Sequence, residues 1–279
     1  MNSFDFKGLP IAYRREGAGK PIVLLHNGGT SHTIWRDVIT KLSETHEVFA
    51  LDLLGYGASA KPVEGYTLQN YVEMLKAFIS EHSLNSVTLI GNCMGSAISL
   101  AFARQAPDDV RALVLMNPLT KTTYLAGNIG GTDKLYRKFP ALFSLLKRVR
   151  LPGWSAPFLY KQQFGASGLA KGLQHDASLR ACHASTGQAR SLFAIMDDIE
   201  SYEELDRITA DENLPPIFTI WGEENKILSV SAGIELNSKW RPQRQEIYSK
   251  CGHLLMLEKP SEVVASIEEF LSESLADVA

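Results

Sequence analysis

The sequence predicts an α/β protein: a mostly parallel sheet of eight strands, flanked by helices, with a helical segment inserted before the last two strands. Three observations lead to this prediction. Short apolar runs alternate with stretches whose apolar residues recur at helical spacing, the alternation stops after residue 116, and it resumes at residue 216. Because strand-helix-strand units cross over with one hand and cover both faces of a sheet, the alternation favours parallel strands.

The individual elements follow from their local patterns. Residues 3–15 are predicted to form two short antiparallel strands, and apolar runs predict the other six at 21–25, 48–52, 86–91, 112–116, 216–221 and 245–249. Helical spacing is clearest between Leu68 and Ile79 and between Val264 and Leu271. Residues 117–214 show no clean strand pattern and several Gly and Pro residues. We therefore predict a core domain formed by 1–116 and 215–279, and a helical cap formed by 117–214.

Composition narrows the class of protein. The chain has 279 residues, of which 45% are hydrophobic and 21% charged, as in ordinary soluble globular proteins. No run approaches the roughly 18 apolar residues of a membrane span, and the first residues lack a secretory pattern. We expect a cytoplasmic protein with neither a membrane nor a nucleic acid as partner. The oligomeric state stays open.

The three cysteines and seven histidines predict neither disulfides nor a metal site. Cys93, Cys182 and Cys251 are an odd number without short-range pairing, which fits reduced thiols. No Cys/His set has the spacing of metal ligands. We expect no metal and no other cofactor.

Charge is unevenly distributed along the chain. The formal net charge is -3, yet residues 121–190 contain eleven basic side chains and only two acidic ones. A basic segment on an acidic remainder indicates an anionic partner or substrate, or else a solvated charged face.

One stretch carries the chemistry. Residues 87–96 read Val-Thr-Leu-Ile-Gly-Asn-Cys-Met-Gly-Ser, which predicts a strand, a sharp turn with Cys93 at its tip, and a helix. A residue at such a tip has a strained backbone and needs small neighbours, which Gly91 and Gly95 supply. The alternative is a buried structural cysteine in a glycine turn.

This stretch resembles the nucleophile elbow of the α/β-hydrolase superfamily, with cysteine where most members carry serine. Further similarity lies in the His-Asn-Gly-Gly loop at 26–29, in 52–59, at Trp221-Gly222 and at Gly252-His253. The chain looks like a capped member of the group that includes meta-cleavage-product hydrolases, haloperoxidase-like esterases and epoxide hydrolases. Cys93 argues against epoxide opening or dehalogenation, because the resemblance implies an aspartate nucleophile at this position in enzymes with those activities.

The resemblance implies a catalytic triad. His253 would be the general base for Cys93, and Asn225 stands where an aspartate is expected. A thiol can pass its proton to imidazole in the resting enzyme, so the resulting thiolate-imidazolium pair needs orientation more than an added negative charge. The presence of cysteine at position 93 thus makes asparagine at position 225 chemically acceptable, and together with His253 they would form a Cys-His-Asn triad. Two alternatives stay open: Glu223, Glu224 or Asp198 serves as the acid, or Cys93 and Asn225 are engineered substitutions.

The resemblance also places the oxyanion donors. The backbone N–H groups of Met94 and Gly28 are expected to bind the oxyanion. Asn27, where the family usually has glycine, could add a side-chain donor to the pocket. His26 and Asp52 are interpreted as structural.

A cysteine nucleophile suggests a substrate class. Passing an acyl group between two thiols is near thermoneutral, which suits a shuttle, and the site resembles cysteine-dependent acyl and aminoacyl shuttles of non-ribosomal peptide and polyketide pathways. We therefore expect an acyltransferase or thioesterase acting on a small acyl substrate or on carrier-protein- or CoA-bound thioesters, with an acidic carrier protein at the basic cap. The alternatives are a hydrolase of small esters, lactones or carbon-carbon bonds, and a ligand-binding protein whose triad has decayed.

Overall fold

The computed structural model describes residues 1–210 and 213–276 and contains the predicted eight-stranded sheet. Its strands are β1 (Asn2–Phe6), β2 (Leu9–Glu16), β3 (Lys20–Leu25), β4 (His46–Leu51), β5 (Val87–Asn92), β6 (Val110–Met116), β7 (Ile217–Gly222) and β8 (Arg244–Tyr248). Their order is β1-β2-β4-β3-β5-β6-β7-β8. β1 and β2 pair antiparallel, as do β2 and β4, and the five other pairs are parallel. The predicted fold class is confirmed.

Alternation along the strands builds a hydrophobic core on each face of the sheet. In β3, Val23 and Leu25 belong to one core and Ile22 and Leu24 to the other, and all four side chains are fully buried. Helices α2 (Leu68–Glu81), α3 (Met94–Gln105) and α12 (Val230–Trp240) contribute to the first core, and α1 (Arg36–Leu42) and α14 (Pro260–Ala276) to the second. α13 (Leu255–Glu258) precedes α14.

The segment between β6 and β7 consists of helices joined by turns and loops, and no strand occurs in its residues 117–210 and 213–216. Its helices are α4 (Lys121–Ala126), α5 (Asn128–Lys138), α6 (Pro140–Leu146), α7 (Ala156–Tyr160), α8 (Ala166–Ala170), α9 (Ala177–His183), α10 (Gln188–Asp197) and α11 (Glu203–Asp206). Short 3-10 helices lie at His32–Trp35, Pro107–Asp109, Gly153–Ser155, Lys161–Gln163, Leu173–His175 and Ile199–Tyr202. We keep the name cap for residues 117–214 and core for the rest; these domain boundaries stay a prediction.

Strand register brings the loops of interest to one edge of the sheet. Leu25 pairs with Gly91, Asn92 with Met116, Met116 with Ile220, and Gly222 with Tyr248. The carboxyl ends of β3, β5, β6, β7 and β8 therefore lie side by side, and the loops that follow them share the crevice where ligands bind in open α/β sheets.

Two further findings concern the chain as a whole. Across residues 1–210 and 213–276, no helix combines the length and apolarity needed to cross a bilayer. The three cysteines are free thiols, and each is buried.

Candidate active site

The nucleophile turn joins β5 to α3 at Cys93. Its φ of 54° and ψ of -110° lie in a region that side-chain-bearing residues rarely adopt, so the backbone is strained. Gly91 and Gly95 face each other across the turn, and a Cβ on Gly91 would collide with the Gly95 backbone. The strained residue is held by its own peptide group, because the Cys93 N–H donates to the Met116 carbonyl at 2.9 Å.

Two backbone N–H groups are candidates for binding an oxyanion. The Met94 N–H lies close enough to Cys93 Sγ to favour a thiolate there. The Gly28 N–H donates to no other group within the described residues. Gly28 lies beneath the cap, since a Cβ on it would stand 2.7 Å from Ile195 Cδ1 of α10 and 3.4 Å from the Tyr56 hydroxyl.

His253 reaches the same place from the loop between β8 and α13. Its carbonyl accepts hydrogen bonds from Asn92 Nδ2 at 3.2 Å and Asn117 Nδ2 at 3.1 Å, and its N–H donates to the Gln163 carbonyl at 2.7 Å. Because Asn92 directly precedes Cys93, these bonds tie the histidine backbone to the nucleophile turn. Its imidazole is 1% exposed.

Burial keeps both the thiol and the imidazole neutral. It raises the pKa of Cys93 to about 12 and lowers the pKa of His253 to about 3. Within the described residues no hydrogen bond joins the sulfur to the ring, and His253 Nδ1, which is buried, has no partner. Desolvation therefore disfavours both charges of the expected resting thiolate-imidazolium pair, which stays a prediction.

Asn225 does not orient His253 in this structure. Its Nδ2 donates to Asn117 Oδ1 at 2.9 Å, and its Oδ1 accepts from the N–H groups of Ile227 at 2.9 Å and Leu228 at 3.2 Å. The Asn225 side-chain amide is therefore hydrogen-bonded to its own loop and to Asn117, which follows a neighbouring strand. No hydrogen bond joins Asn225 and His253, both of them described residues, and the place of Asn225 in the triad, expected from the resemblance, stays a prediction.

The three alternative acids are each hydrogen-bonded to groups other than the imidazole. Glu223 accepts from the Lys250 N–H at 3.3 Å and Glu224 from the Ala166 N–H at 2.7 Å, both on exposed surface. Asp198 accepts from the Leu68 N–H at 2.7 Å, which caps the start of α2. The expectation that one of them serves as the acid finds no contact to support it, since each carboxylate is used elsewhere.

The loop after β3 is held by its own polar side chains. Asn27 Nδ2 donates to the Gly28 carbonyl at 3.0 Å and to Gln163 Oε1 at 3.4 Å, so this amide fixes the loop instead of serving as a free donor in the pocket. His26 donates from Nδ1 to the Asn27 carbonyl and accepts the Leu53 N–H at Nε2. Burial lowers the pKa of His26 to about 4. Because the ring is neutral and both its nitrogens are hydrogen-bonded within the loops, we interpret His26 as structural.

Asn117 is a residue that the sequence analysis missed. It follows β6, has a φ of 42°, and is fully buried. Its Nδ2 donates to Asn92 Oδ1 at 3.1 Å and to the His253 carbonyl, while its Oδ1 accepts from the Gly222 N–H at 3.1 Å and from Asn225. One amide thus links the ends of β5, β6 and β7 to the histidine loop. The available signal was its position, directly after a buried parallel strand.

Glu258 is the second missed residue. It is fully buried, and its carboxylate accepts from the N–H groups of Gly252 at 2.7 Å, Gly168 at 2.8 Å and Gly165 at 3.2 Å, and from Ser167 Oγ at 2.9 Å. It therefore fastens the cap to the residue before His253. A carboxylate directly after the apolar run Leu-Leu-Met-Leu was the signal that could have found it.

Buried polar side chains of the core and cap lie near the nucleophile turn and near the loop after β3. Tyr56 and Tyr202 are fully buried; burial raises the pKa of both phenols, and a charge on Cys93 would raise each further, which places them near the nucleophile. Gln188 of α10 is buried, and neither atom of its amide has a partner within the described residues. Burying such groups is costly unless a ligand or water satisfies them.

The acidic, cysteine and histidine side chains of residues 1–210 and 213–276 form no group of three or more that could hold a metal ion. The arrangement instead offers a cysteine on a strained turn, a histidine tethered next to it, and N–H donors from two loops. Such a set can form and break an acyl bond.

Comparison with known proteins shows which family the chain belongs to. The sequence model of the alpha/beta hydrolase fold matches residues 20–260. A 2-hydroxy-6-oxo-2,4-heptadienoate hydrolase of Pseudomonas putida is 27% identical over 266 residues, covering 92% of this chain and 90% of the relative. A 2-hydroxymuconate semialdehyde hydrolase of a Pseudomonas species is 26% identical, covering 96% and 92%.

Solved structures agree on the fold. A thermophilic esterase from Thermogutta terrifontis has a TM-score of 0.81 at 20% identity, covering 98% of this chain and 97% of its own. A meta-cleavage product hydrolase has a TM-score of 0.78 at 19% identity, covering 98% of each chain. With the matched family model spanning most of its length, the chain belongs to the α/β-hydrolase fold family.

Proposed function

We propose that this protein is a hydrolase of small acyl substrates, such as an ester, a lactone or a carbon-carbon bond beside a carbonyl, and that it works through an acyl-Cys93 intermediate. The observation that carries the proposal is the tether between the two candidate groups, in which Asn92, adjacent to Cys93, donates to the His253 carbonyl at 3.2 Å. The two Pseudomonas relatives bear the names of hydrolases, which supports hydrolysis over transfer.

The first half of the reaction forms the acyl-enzyme. Cys93 Sγ attacks the carbonyl carbon while the His253 imidazole takes the thiol proton, because burial leaves no thiolate waiting in the resting state. The oxyanion accepts hydrogen bonds from the N–H groups of Met94 and Gly28. As the tetrahedral intermediate collapses, the bond to the leaving group breaks and the imidazolium returns the proton to it.

The second half restores the enzyme. A water molecule gives a proton to His253 and adds its oxygen to the thioester carbonyl, and the same two N–H groups again bind the oxyanion. The carbon-sulfur bond then breaks, the acid leaves, and the thiol regains its proton from the imidazolium. Each proton taken by His253 is returned within the same half-reaction, so a neutral imidazole serves at the start of each.

The surroundings of the sulfur suit a small, partly polar acyl group. Leu192 and Ile195 of α10 cover Gly28, and Gly28 is one of the proposed oxyanion donors. Tyr56 and Tyr202 bring buried hydroxyl groups that lack partners within the described residues. Such a lining favours a substrate that carries an oxygen function in addition to the scissile carbonyl.

Intact mass after mixing with activated esters and thioesters tests the proposal. We expect an adduct on the wild-type protein, and we expect it to disappear in Cys93→Ala together with turnover. Cys182→Ala and Cys251→Ala, which alter the other two buried thiols, are matched controls and should keep both. Turnover that survives Cys93→Ala would refute the acyl-cysteine route. No adduct and no turnover with any substrate would favour a ligand-binding protein.

Transfer to a thiol is the second candidate, and the cysteine itself favours it, because exchange between two thioesters is reversible. An acidic carrier protein at the basic cap remains part of that candidate. Its electrostatic support is reduced, since the whole cap carries twelve basic and ten acidic residues. Lys121, for example, pairs with Glu200 at 2.6 Å and Glu203 at 3.2 Å. Adding pantetheine to the acyl-enzyme separates the two candidates: acyl-pantetheine marks transfer, and free acid marks hydrolysis.

A further inference from the structure

A short part of the cap carries several large apolar side chains that are exposed to solvent. Trp154 is 75% exposed, Phe158 71% and Leu145 61%. Within the described residues, eight of the exposed large hydrophobic side chains fall between 135 and 159, namely Leu135, Phe139, Leu142, Leu145, Val149, Trp154, Phe158 and Leu159. We call residues 134–161 the apolar-basic segment. Such a concentration on a single segment marks an interaction surface.

The same segment carries only one sign of charge. No Asp or Glu occurs from residue 134 to residue 175. Exposed basic side chains lie among the apolar ones, at Lys134, Lys138, Arg148, Arg150 and Lys161. Lys138 extends over the Phe139 ring with Nζ 5.6 Å from its centroid, so one side chain presents an apolar stem and a cationic end together. The segment is complementary to a surface that is apolar beneath and anionic at its boundary.

We propose that the apolar-basic segment docks on the surface of a bilayer that contains anionic lipids. Trp154, Phe158 and the leucines enter the boundary between head groups and acyl chains, while the lysines and arginines contact lipid phosphates. Short helices with Trp, Phe and Leu beside Lys and Arg have the composition of interfacial membrane anchors. The sequence-based expectation of no membrane partner rests on the lack of an apolar run long enough to cross a bilayer. Docking on the bilayer surface requires no such run.

Charge also argues against a second copy of the chain as the occupant. A twofold contact would bring the same segment from both copies together, and the segment has no carboxylate with which its exposed basic residues could pair. Like charges facing each other across an interface oppose association. An anionic lipid surface satisfies both the apolar and the basic side chains at once.

Trp154 provides a direct readout. The other three tryptophans, Trp35, Trp221 and Trp240, are at most 3% exposed, so Trp154 alone among them stands in water. We expect vesicles of phosphatidylcholine and phosphatidylglycerol to shift tryptophan emission to the blue and to sediment the protein, with much weaker binding to phosphatidylcholine alone. Trp154→Phe should keep sedimentation and lose most of the emission shift.

Double variants separate the apolar contribution to membrane binding from the electrostatic one. Trp154→Ser/Phe158→Ser should weaken binding at least about tenfold, since each removes an aromatic side chain from the interface. Ile234→Ser/Ile247→Ser, at exposed apolar positions 43% and 51% accessible in the core, is the matched control and should bind like wild type. Lys134→Glu/Lys138→Glu should weaken binding at least about twentyfold, as each basic residue near an anionic membrane contributes roughly fivefold, and Lys20→Glu/Lys76→Glu should not.

Three results would overturn the proposal. One is no difference between wild type and the segment variants on anionic vesicles. Another is a lipid-free dimer, seen by light scattering, that the segment variants abolish. The third is no vesicle binding by a protein that instead binds an acidic carrier protein through the same residues.

Discussion

The core and the cap hold His253 from opposite sides and by different chemistry. On the core side, the side-chain amides of Asn92 and Asn117 donate to its carbonyl. On the cap side, the Gln163 carbonyl accepts its N–H, and the Glu258 carboxylate joins the preceding Gly252 to peptide groups of the cap. The core therefore fixes the histidine relative to the nucleophile, whereas the cap binds the backbone of His253 and, through Glu258, that of Gly252. The following variants test this contrast, from the largest expected effect to the smallest.

Gly95→Ala in the core should be the most damaging substitution. A Cβ at this position would collide with the Leu25 carbonyl oxygen, which is backbone of a central strand and cannot rotate away. We expect a loss of about 3 kcal/mol or more in the free energy of unfolding, measured by urea denaturation. Gly131→Ala in cap helix α5 is the control: a Cβ there meets nothing within 4 Å, and alanine should stabilise the helix by about 0.5–1 kcal/mol. Equal effects at the two glycines would contradict the contrast.

Glu258→Gln should separate the cap from the histidine loop. Glutamine has the same shape, but it presents an NH2 group to several N–H donors that now share a carboxylate. We expect a loss of about 2–4 kcal/mol in unfolding free energy, together with slower acylation of Cys93. Glu262→Gln, which alters an exposed ion pair with Lys259, should change stability by less than about 1 kcal/mol. An unchanged acylation rate in Glu258→Gln would show that the cap contact does not position His253.

Acid should destabilise the core through its buried histidines. Because burial lowers the folded pKa of His253 from 6.5 to about 3, the unfolded chain binds this proton first, and stability falls as the pH drops below 6.5. Between pH 7 and pH 5 we expect the wild type to lose about 2 kcal/mol more than His253→Gln, measured by denaturation at both pH values. His183 in the cap also has a pKa lowered by burial. A difference as large in His183→Gln would contradict the assignment to the core.

Asn225→Asp should have the smallest effect and tests whether this position belongs to the triad. The new carboxylate would face Asn117 Oδ1, where the amide now donates at 2.9 Å. We expect a loss of about 1–2 kcal/mol in unfolding free energy and no gain in turnover. Asn85→Asp, at an exposed position, is the control. A rise in turnover would mean that the loop can turn and present an acid to His253.

Much of the fold follows from local patterns in the sequence. The alternation in β3 and the helical spacing from Leu68 to Ile79 are short-range features, and both elements occur as predicted. The Gly-x-Cys-x-Gly turn is equally local, because its strained tip and its two small neighbours lie within five residues. Hydrophobic period and turn chemistry act between residues near in sequence, so these parts could be predicted.

Only the tertiary structure decided which polar groups meet. Asn117 and His253 are 136 residues apart, and Glu258 and Gly168 are 90 apart, so no spacing in the sequence relates them. The sequence also could not show that burial leaves both Cys93 and His253 neutral, because desolvation depends on what the whole chain packs around a group. Local pattern determined the strands, the helices and the nucleophile turn; the partners and charge states of the site were decided by contacts between distant segments.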